Sequence, residues 1–284
     1  MGPALRRRHA GFRWRRPGWL ALHGLLCQLG CARDAAPAPA AFVDLGGGIE
    51  YATLRVAASD GAEGSDVHLL RLDPARAELI VVVDDHLSDA AGFRRAAGAV
   101  AAINGIYFDP QFKPLGLLVS QGRRLGKLRR VDHGVFTVAG GKPALQHARA
   151  YTPPEALEFA VECGPRLLTA GAPLPVKAGL ARRTVIGSDR AGRVLLAASV
   201  GVLQLRDLTQ SLAQPPSVGG AGAFHLLNLD GGSSTMFDLQ AGRLRATIRS
   251  PVRVPVGIAV RARRAVGSQG GAGTAPSLED SPTR

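Results

Sequence analysis

The chain has 284 residues, of which 46% are hydrophobic and 20% charged, and this composition indicates a globular protein rather than a disordered one. Its formal net charge is +13, from 35 basic and 22 acidic side chains. Aromatic residues make up only 5% of the chain and do not alternate with basic residues, which argues against a nucleic-acid-binding groove. A mildly basic surface suits an anionic substrate or an anionic envelope polymer.

Residues 1–31 have the pattern of an export signal. Several arginines without any acidic residue precede a short apolar stretch at 19–29, which is too short to span a bilayer. Small residues around Cys31 offer a cleavage site, and the sequence Leu-Gly-Cys ending there is similar to a degenerate lipoprotein signal. Cleavage, lipidation of Cys31 and an uncut signal anchor all remain open. We expect an exported bacterial protein of the periplasm, outer membrane or cell surface, in contact with a membrane only through a lipid on Cys31.

The rest of the chain predicts one domain between two flexible segments. Residues 32–41 are rich in Ala and Pro and predict a linker, while residues 264–284 are polar and predict a disordered tail. The domain at 42–263 contains a single cysteine, Cys163, so it can form no internal disulfide and no metal cluster built on cysteine. We expect Cys163 to be a small buried hydrophobic residue.

Strand patterns outnumber helix patterns along this domain. Ser88 is predicted to cap a short helix from Asp89 to about residue 97, and Asp207 to cap another that ends near residue 212. These proportions predict an α+β fold, with mixed, largely antiparallel sheets and a few short helices. Strands are predicted near residues 51–56, 67–72, 79–83, 99–103, 115–120, 135–138, 182–187, 194–200, 224–229, 245–248 and 253–260.

Two of the predicted strands end in polar residues that could form a site. The strand at 99–103 leads into Asn104, whose amide can both donate and accept hydrogen bonds. The strand at 224–229 leads into Asp230, followed by two glycines and three hydroxyl residues. Asp-Gly between apolar runs is typical of a hairpin turn. The same residues also suit a ligand-binding loop, because glycine lets the backbone approach a ligand closely, and both interpretations remain open.

Four ordered motifs resemble those of the phosphodiester glycosidase family. They are residues 102–108 (Ala-Ile-Asn-Gly-Ile-Tyr-Phe), 164–167 (Gly-Pro-Arg-Leu), 183–187 (Arg-Thr-Val-Ile-Gly) and 227–234 (Leu-Asn-Leu-Asp-Gly-Gly-Ser-Ser). The sequence departs from the family pattern in three places. Ile106 replaces a glycine, the Asp230 motif lacks one glycine of its longest form, and residues 199–201 (Ser-Val-Gly) stand where many members have Asp-Gly.

The resemblance implies hydrolysis of the glycosidic bond of a sugar-1-phosphodiester, on an exopolysaccharide or envelope glycan. It implies Asp230 as the catalytic carboxylate and Glu162 as a second candidate. It requires no particular cofactor and leaves a divalent cation open. The alternative is a non-catalytic envelope protein that binds a glycan or a phosphate-bearing polymer with the same cleft. The substrate-binding residues that the resemblance implies are Asn104, Gly105, Tyr107, Arg166, Arg183, Thr184, Gly231, Gly232, Ser233, Ser234 and Thr235.

Overall fold

A computed structural model of the protein describes residues 39–59, 61 and 63–263. The predicted signal peptide, the first part of the predicted linker and the predicted tail therefore lie outside the described residues, and the proposed domain boundaries remain predictions. None of the helices in the described part is long and apolar enough to cross a membrane.

The described residues form 18 strands and two α-helices. The helices are α1 (Ala90–Ala96) and α2 (Leu205–Ala213). The strands are β1 (Val43–Asp44), β2 (Ile49–Val56), β3 (Ser65–Leu72), β4 (Ala77–Ser88), β5 (Ala101–Asn104), β6 (Leu118–Ser120), β7 (Arg123–Arg124), β8 (Gly134–Ala139), β9 (Lys142–His147), β10 (Leu157–Cys163), β11 (Arg166–Thr169), β12 (Ala172–Pro173), β13 (Thr184–Asp189), β14 (Val194–Ser199), β15 (Ala223–Asn228), β16 (Phe237–Ala241), β17 (Leu244–Ile248) and β18 (Val254–Ala262).

The strands build three sheets. An eight-stranded sheet has the order β1-β2-β3-β14-β13-β15-β11-β12, and two five-stranded sheets have the orders β7-β6-β10-β8-β9 and β17-β16-β5-β18-β4. Each recorded pairing between these strands is antiparallel. The fold is therefore mostly antiparallel β with short helices. The predicted α+β class fits only roughly, and the sheets are not mixed.

The eight-stranded sheet is buried on both faces, which explains why its central strands are continuously apolar. One face packs against both five-stranded sheets in the largest core, where Ile186, Phe136 and Ile258 meet. The other face is covered by α2 through Leu208 and Leu212. Every residue of β13 and β14 is buried as a result.

Two predicted helix caps were wrong, and one of the two open interpretations of the Asp230 loop is excluded. Ser88 is the last residue of β4, and the helix cap is Asp89, whose Oδ1 accepts a hydrogen bond from Gly92 N at 2.7 Å. Asp207 lies in the first turn of α2 rather than at its cap, and it accepts a hydrogen bond from Ser59 N at 3.1 Å. The hairpin interpretation of Asp230 also fails, because β15 and β16 belong to different sheets.

Gly257 lies where β18 passes under α1, and this position requires a glycine. A Cβ atom there would lie 2.3 Å from ring atoms of Phe93, which is fully buried. We expect Gly257→Ala to lower the free energy of unfolding by about 1–3 kcal/mol, because a buried aromatic ring has little room to move. Urea unfolding monitored by circular dichroism measures this change.

The double variant Phe93→Leu/Gly257→Ala provides the control. The smaller side chain makes space for the new methyl group, so the added cost of Gly257→Ala should be smaller in the Phe93→Leu background. A Gly257→Ala protein as stable as the wild type would show that the close approach does not exist.

Candidate active site

Asp230 lies at the point where the chain leaves the eight-stranded sheet after β15 and enters a five-stranded sheet. The carboxyl group is half-buried, and its Oδ1 accepts a hydrogen bond from Gly231 N at 2.9 Å. Burial raises the pKa of the Asp230 carboxyl, although hydrogen bonds from Ser234 and Gly231 act in the opposite direction. A carboxyl group whose pKa is raised is suited to exchange protons nearer neutral pH.

A fully buried amide, that of Asn104, holds the Asp230 loop in place. Asn104 Nδ2 donates to the carbonyl oxygen of Asp230 at 2.7 Å. Asn104 Oδ1 accepts from Thr184 Oγ1 at 2.8 Å and from Met236 N at 3.2 Å. Both ends of the amide are therefore engaged by the protein, and Asn104 positions Asp230 instead of facing a sugar. Thr184 and Thr235 are also fully buried, with their hydroxyl oxygens 3.3 Å apart.

The glycines around Asp230 allow two close backbone contacts. Gly105 O accepts a hydrogen bond from Asp230 N at 3.2 Å, and a Cβ on Gly105 would lie 2.5 Å from Val256 Cγ1. Gly232 N donates to Arg182 O at 2.8 Å, and a Cβ on Gly231 would lie 2.9 Å from the same oxygen. Side chains at these two positions would separate the segments that hold Asp230.

The backbone N–H groups of this loop are mostly used inside the protein. Gly231 N donates to the Asp230 carboxyl, and Gly232 N to Arg182 O. The amides of Ser234 and Thr235 donate to the carbonyl oxygens of Gly231 and Gly232. Ser233 is exposed, and within the described part of the chain its N–H has no recorded partner. The loop thus offers fewer donors to a phosphate than its sequence suggests.

A cavity of about 690 Å³ opens beside this loop. Its polar lining includes Tyr107, His133, Asn228 and Arg183, and the segment at 175–181 forms one wall. Asp230 does not line the cavity itself. Burial raises the pKa of the Tyr107 hydroxyl, and the Asp230 carboxyl lies close enough to raise it further. The cavity and the catalytic candidate are therefore neighbours.

Tyr107 and Asn228 form a hydrogen-bonded pair at the cavity floor. Tyr107 Oη donates to Gly164 O at 2.6 Å and accepts from Asn228 Nδ2 at 3.1 Å. Asn228 Nδ2 also donates to Gly164 O at 2.9 Å, and this carbonyl fixes which end of the amide carries the hydrogens. Asn228 Oδ1 is buried and has no partner among the described residues. The floor therefore presents one unused acceptor.

The two predicted phosphate-binding arginines have different positions. Arg183 lines the cavity, but its Nε donates to Leu203 O at 2.9 Å and its Nη2 donates to Gly179 O. Most of this guanidinium therefore holds the cavity wall. Arg166 pairs with Leu227, whose side chain lies in the core between the sheets, and its Cγ packs against Gly134. The structure does not bring Arg166 into the cavity.

Glu162, the second carboxylate candidate, is inaccessible. Its side chain has 0% exposure, and its Oε2 accepts hydrogen bonds from Leu117 N and Arg129 N, both at 2.9 Å. Burial raises the pKa of Glu162, but the nearby His133 imidazole and the hydrogen bonds from these two amides outweigh it, so the net effect lowers this pKa. Glu162 is an ionised group behind the cavity wall and cannot contact a substrate.

Cys163 is fully buried, as predicted, and burial raises the pKa of its thiol to about 12. The thiol is therefore protonated at neutral pH and does not act as a nucleophile. The described residues contain no group of three or more His, Cys, Asp or Glu side chains arranged to hold a metal ion.

Sequence reasoning missed four residues at this site: His133, Lys177, Arg182 and Asn228. His133 and Lys177 line the cavity from loops that carry no regular pattern, so no sequence signal marked them. Arg182 is the first residue of a predicted strand, and its role depends on a backbone contact with Gly232. Asn228 lies inside the Asp230 motif, and its position one residue before the last apolar residue of the strand could have marked it.

The raised pKa of Asp230 predicts how Asp230→Asn changes stability with pH. The pKa is higher in the folded than in the unfolded chain, so ionisation costs folding stability once the pH exceeds the unfolded-state value. We expect Asp230→Asn to be more stable than the wild type at neutral pH, and the difference to shrink as the pH falls toward the ordinary carboxyl range. Urea titrations across this pH range measure it, with the exposed Asp85→Asn as control. A wild type that is more stable than Asp230→Asn at neutral pH would contradict the burial argument.

Comparison with solved structures shows the same fold in distant proteins. A protein described as hypothetical from Synechocystis has 19% identity and a TM-score of 0.54, over 81% of this chain and 64% of its own. The catalytic domain of zebrafish N-acetylglucosamine-1-phosphodiester α-N-acetylglucosaminidase, auto-inhibited by its pro-peptide, has 14% identity and a TM-score of 0.60, over 81% of this chain and 87% of its own. A Burkholderia pseudomallei K96243 protein, named as a candidate exported protein, has 14% identity and a TM-score of 0.50, over 71% of this chain and 75% of its own.

This chain thus spans less than two thirds of the length of the Synechocystis protein. No functionally curated protein matches the sequence significantly. A sequence model of the phosphodiester glycosidase family matches residues 97–263, which include the Asp230 loop, the cavity floor and the Arg183 wall. The match covers more than half of the chain and confirms the resemblance of the four motifs. The chain belongs to the phosphodiester glycosidase family.

Proposed function

We propose that this protein is a hydrolase that cleaves the glycosidic bond of a sugar-1-phosphodiester and leaves a free sugar and a phosphomonoester. The observation that carries the proposal is Asp230, a half-buried carboxyl with a raised pKa beside a polar cavity, in a chain of this family. The name of the zebrafish protein makes N-acetylglucosamine the first sugar to test. The natural substrate is proposed to be an exopolysaccharide or envelope glycan.

The chemistry needs one well-placed base more than it needs strong acid catalysis. A phosphomonoester is a good leaving group, so the glycosidic bond breaks with less protonation than an alkyl glycoside requires. Asp230 removes a proton from the attacking water as the water oxygen bonds to the anomeric carbon. Asn104 holds the main chain of Asp230 and Gly231 N holds its carboxyl, which reduces the ordering that the reaction itself must supply.

The cavity supplies contacts for both parts of the substrate. Lys177 is an exposed cation at the wall, and Arg183 adds its remaining N–H groups, so both favour an anionic phosphodiester. Asn228 Oδ1 is the unused acceptor of the floor and can receive a sugar hydroxyl or an acetamido N–H. A buried acceptor without a partner costs free energy, which a substrate donor would recover.

Export remains part of the proposal. The predicted leader, the candidate exported protein among the similar structures and the anionic character of envelope glycans are consistent with one another. Lipidation of Cys31 would retain the enzyme at a membrane close to such polymers.

A non-catalytic binding protein is the second candidate, and Ser199 favours it. Ser199 stands where many family members have a carboxylate. Its Oγ donates to Gly201 O at 2.7 Å and accepts from Arg183 N at 2.7 Å. The hydroxyl therefore serves the cavity wall and supplies no charge to the site.

Turnover of sugar-1-phosphodiesters tests the proposed function. The panel contains UDP-linked sugars and nitrophenyl phosphodiesters of sugar 1-phosphates, and release of free sugar is measured. We expect the wild type to hydrolyse at least one member. Asp230→Asn should lower kcat by about 100-fold or more, because the base is lost while the shape is kept.

The control for this test is Asp85→Asn, which removes an exposed carboxylate on β4. It should retain wild-type activity. Full activity in Asp230→Asn would disprove the assigned role. Glycan binding without turnover by the folded wild type would favour the binding protein instead.

Asn228→Ala tests the unused acceptor. We expect KM for the active substrate to rise about tenfold, which corresponds to the loss of one substrate hydrogen bond. Tyr107→Phe is the comparison variant, because it removes a partner of Asn228 Nδ2 and leaves Oδ1 in place. Equal changes in KM for the two variants would mean that only the internal bonds of the pair matter.

A further inference from the structure

We propose that His133 is a second catalytic residue of this site, the proton donor to the leaving phosphate, and that Glu162 is the positioning residue that orients its ring. This inference rests on the proposed function and assigns a chemical role to a residue that the sequence did not mark. It also gives Glu162 a role, although Glu162 has no access to a substrate.

The surroundings of Glu162 keep its carboxylate ionised and fixed in position. One carboxylate oxygen, Oε2, accepts two backbone N–H groups, from Leu117 and Arg129, each at 2.9 Å. The other oxygen, Oε1, is buried and makes no hydrogen bond within the described part of the chain. A buried carboxylate oxygen without a donor is costly, so an unpaired Oε1 indicates that a donor must lie close by.

His133 supplies that donor. Its Nδ1 lies 3.6 Å from Glu162 Oε1, and it is likewise buried without a partner among the described residues. A shift of about 0.6 Å brings the two atoms to ordinary hydrogen-bond distance. The carboxylate then favours a proton on Nδ1 and stabilises the imidazolium form of the ring.

The rest of the ring faces the cavity. The side chain is 22% exposed, lines the cavity and lies 6.1 Å from the Tyr107 ring between centroids. Gly164 permits this position, because a Cβ there would lie 2.8 Å from His133 Cδ2. Nε2 has no recorded hydrogen bond in residues 39–59, 61 and 63–263. With Nδ1 directed at Glu162, Nε2 is the nitrogen left for a ligand.

The charges around His133 come from several elements. Glu162 on β10 favours the imidazolium, whereas Lys177 and Arg183 at the cavity oppose it. Tyr107 stays neutral because burial raises its pKa, and the neighbouring Asp132 is already paired with His147 Nε2 at 3.0 Å. Glu162 is thus the one carboxylate within 4.0 Å of the His133 ring nitrogens among the described residues. A bound phosphodiester adds a further negative charge, which also favours the imidazolium.

The proposed step balances protons and electrons. The water oxygen forms a bond to the anomeric carbon and gives one proton to Asp230. The bond between the anomeric carbon and the phosphate oxygen breaks, and its electron pair stays on that oxygen. Nε2–H of the His133 imidazolium donates its proton to this oxygen, and the products are the free sugar and a phosphomonoester monoanion. Solvent then returns a proton to His133 and accepts one from Asp230.

The first test does not depend on activity. Long-range nitrogen–proton NMR spectra of the protein report the tautomer of each imidazole, and His133→Gln assigns the His133 signals. We expect Nδ1 of His133 to be protonated in the wild type, and Glu162→Gln to shift the neutral ring toward the Nε2–H tautomer, because the glutamine NH2 group then faces Nδ1. Glu162→Gln keeps a carbonyl acceptor for the two backbone amides, so the fold should survive. A His133 tautomer unchanged by Glu162→Gln would overturn the pairing.

The second test measures catalysis on UDP-N-acetylglucosamine and on N-acetylglucosaminyl fluoride, whose leaving group needs no proton. We expect His133→Gln to lower kcat on the UDP sugar about tenfold, a smaller loss than in Asp230→Asn because phosphate leaves with little protonation, and to change hydrolysis of the fluoride little. It should also remove the alkaline limb of the kcat–pH profile, and Glu162→Gln should move that limb to lower pH. His86→Gln removes an exposed histidine on β4 and is the control.

The outcomes separate the two proposals. Equal losses on both substrates, or an alkaline limb that persists in His133→Gln, would overturn the donor role while leaving the glycosidase function intact. A wild type that hydrolyses neither these substrates nor the wider panel counts against the proposed function and, with it, against His133 as a proton donor. In that case the NMR result still decides whether Glu162 orients His133.

Discussion

The buried amide of Asn104 is the contact on which the geometry of this site depends. It lies at the end of β5 in a five-stranded sheet and bonds to the Asp230 loop and to Thr184 of the eight-stranded sheet. An amide can do this because its NH2 group donates while its carbonyl oxygen accepts. The two sheets pack mainly through apolar side chains, which resist sliding weakly. The directional bonds of Asn104 fix the position of the Asp230 loop relative to Thr184 of the eight-stranded sheet.

The different properties of the two carboxylates, Asp230 and Glu162, follow from their surroundings. Asp230 is half-buried and Glu162 is fully buried. Burial has the larger effect on the pKa of Asp230, whereas at Glu162 the hydrogen bonds and the nearby His133 together outweigh the effect of burial on the pKa. The pKa values therefore move in opposite directions. The first group is suited to proton transfer, and the second to holding a fixed negative charge. Such a separation of pKa values is a common basis for acid and base roles in one site.

Much of the fold was accessible from the sequence, but the connections between strands were not. The apolar runs of β3, β13, β14, β15 and β18 indicated buried strands, because such short hydrophobic stretches bounded by turn residues are typical of buried strands. The strand β16 was not predicted, although its apolar and polar residues alternate, and its polar residues, Asp238 and Gln240, accept hydrogen bonds from Arg94 on α1. The Asp-Gly pair after β15 resembled a hairpin, and only the tertiary pairing of β15 with β13 and β11 excludes it. Asp230 and Asn104 were identified because each lies at the end of a predicted strand. His133 lies in a loop, and its proposed role depends on Glu162, 29 positions away in the sequence, so no local sequence pattern marks it.

Arg183 anchors the cavity wall through the carbonyl oxygens of Leu203 and Gly179, and these are main-chain atoms. The anchor therefore places no requirement on the side chains of the segment at 175–181, which are mostly exposed. That segment can exchange one side chain for another during evolution while its backbone stays attached to the same guanidinium. Relatives with the same core and the same anchoring arginine could thus diverge in the ligand they accept by altering a handful of loop residues, without rebuilding the sheets beneath.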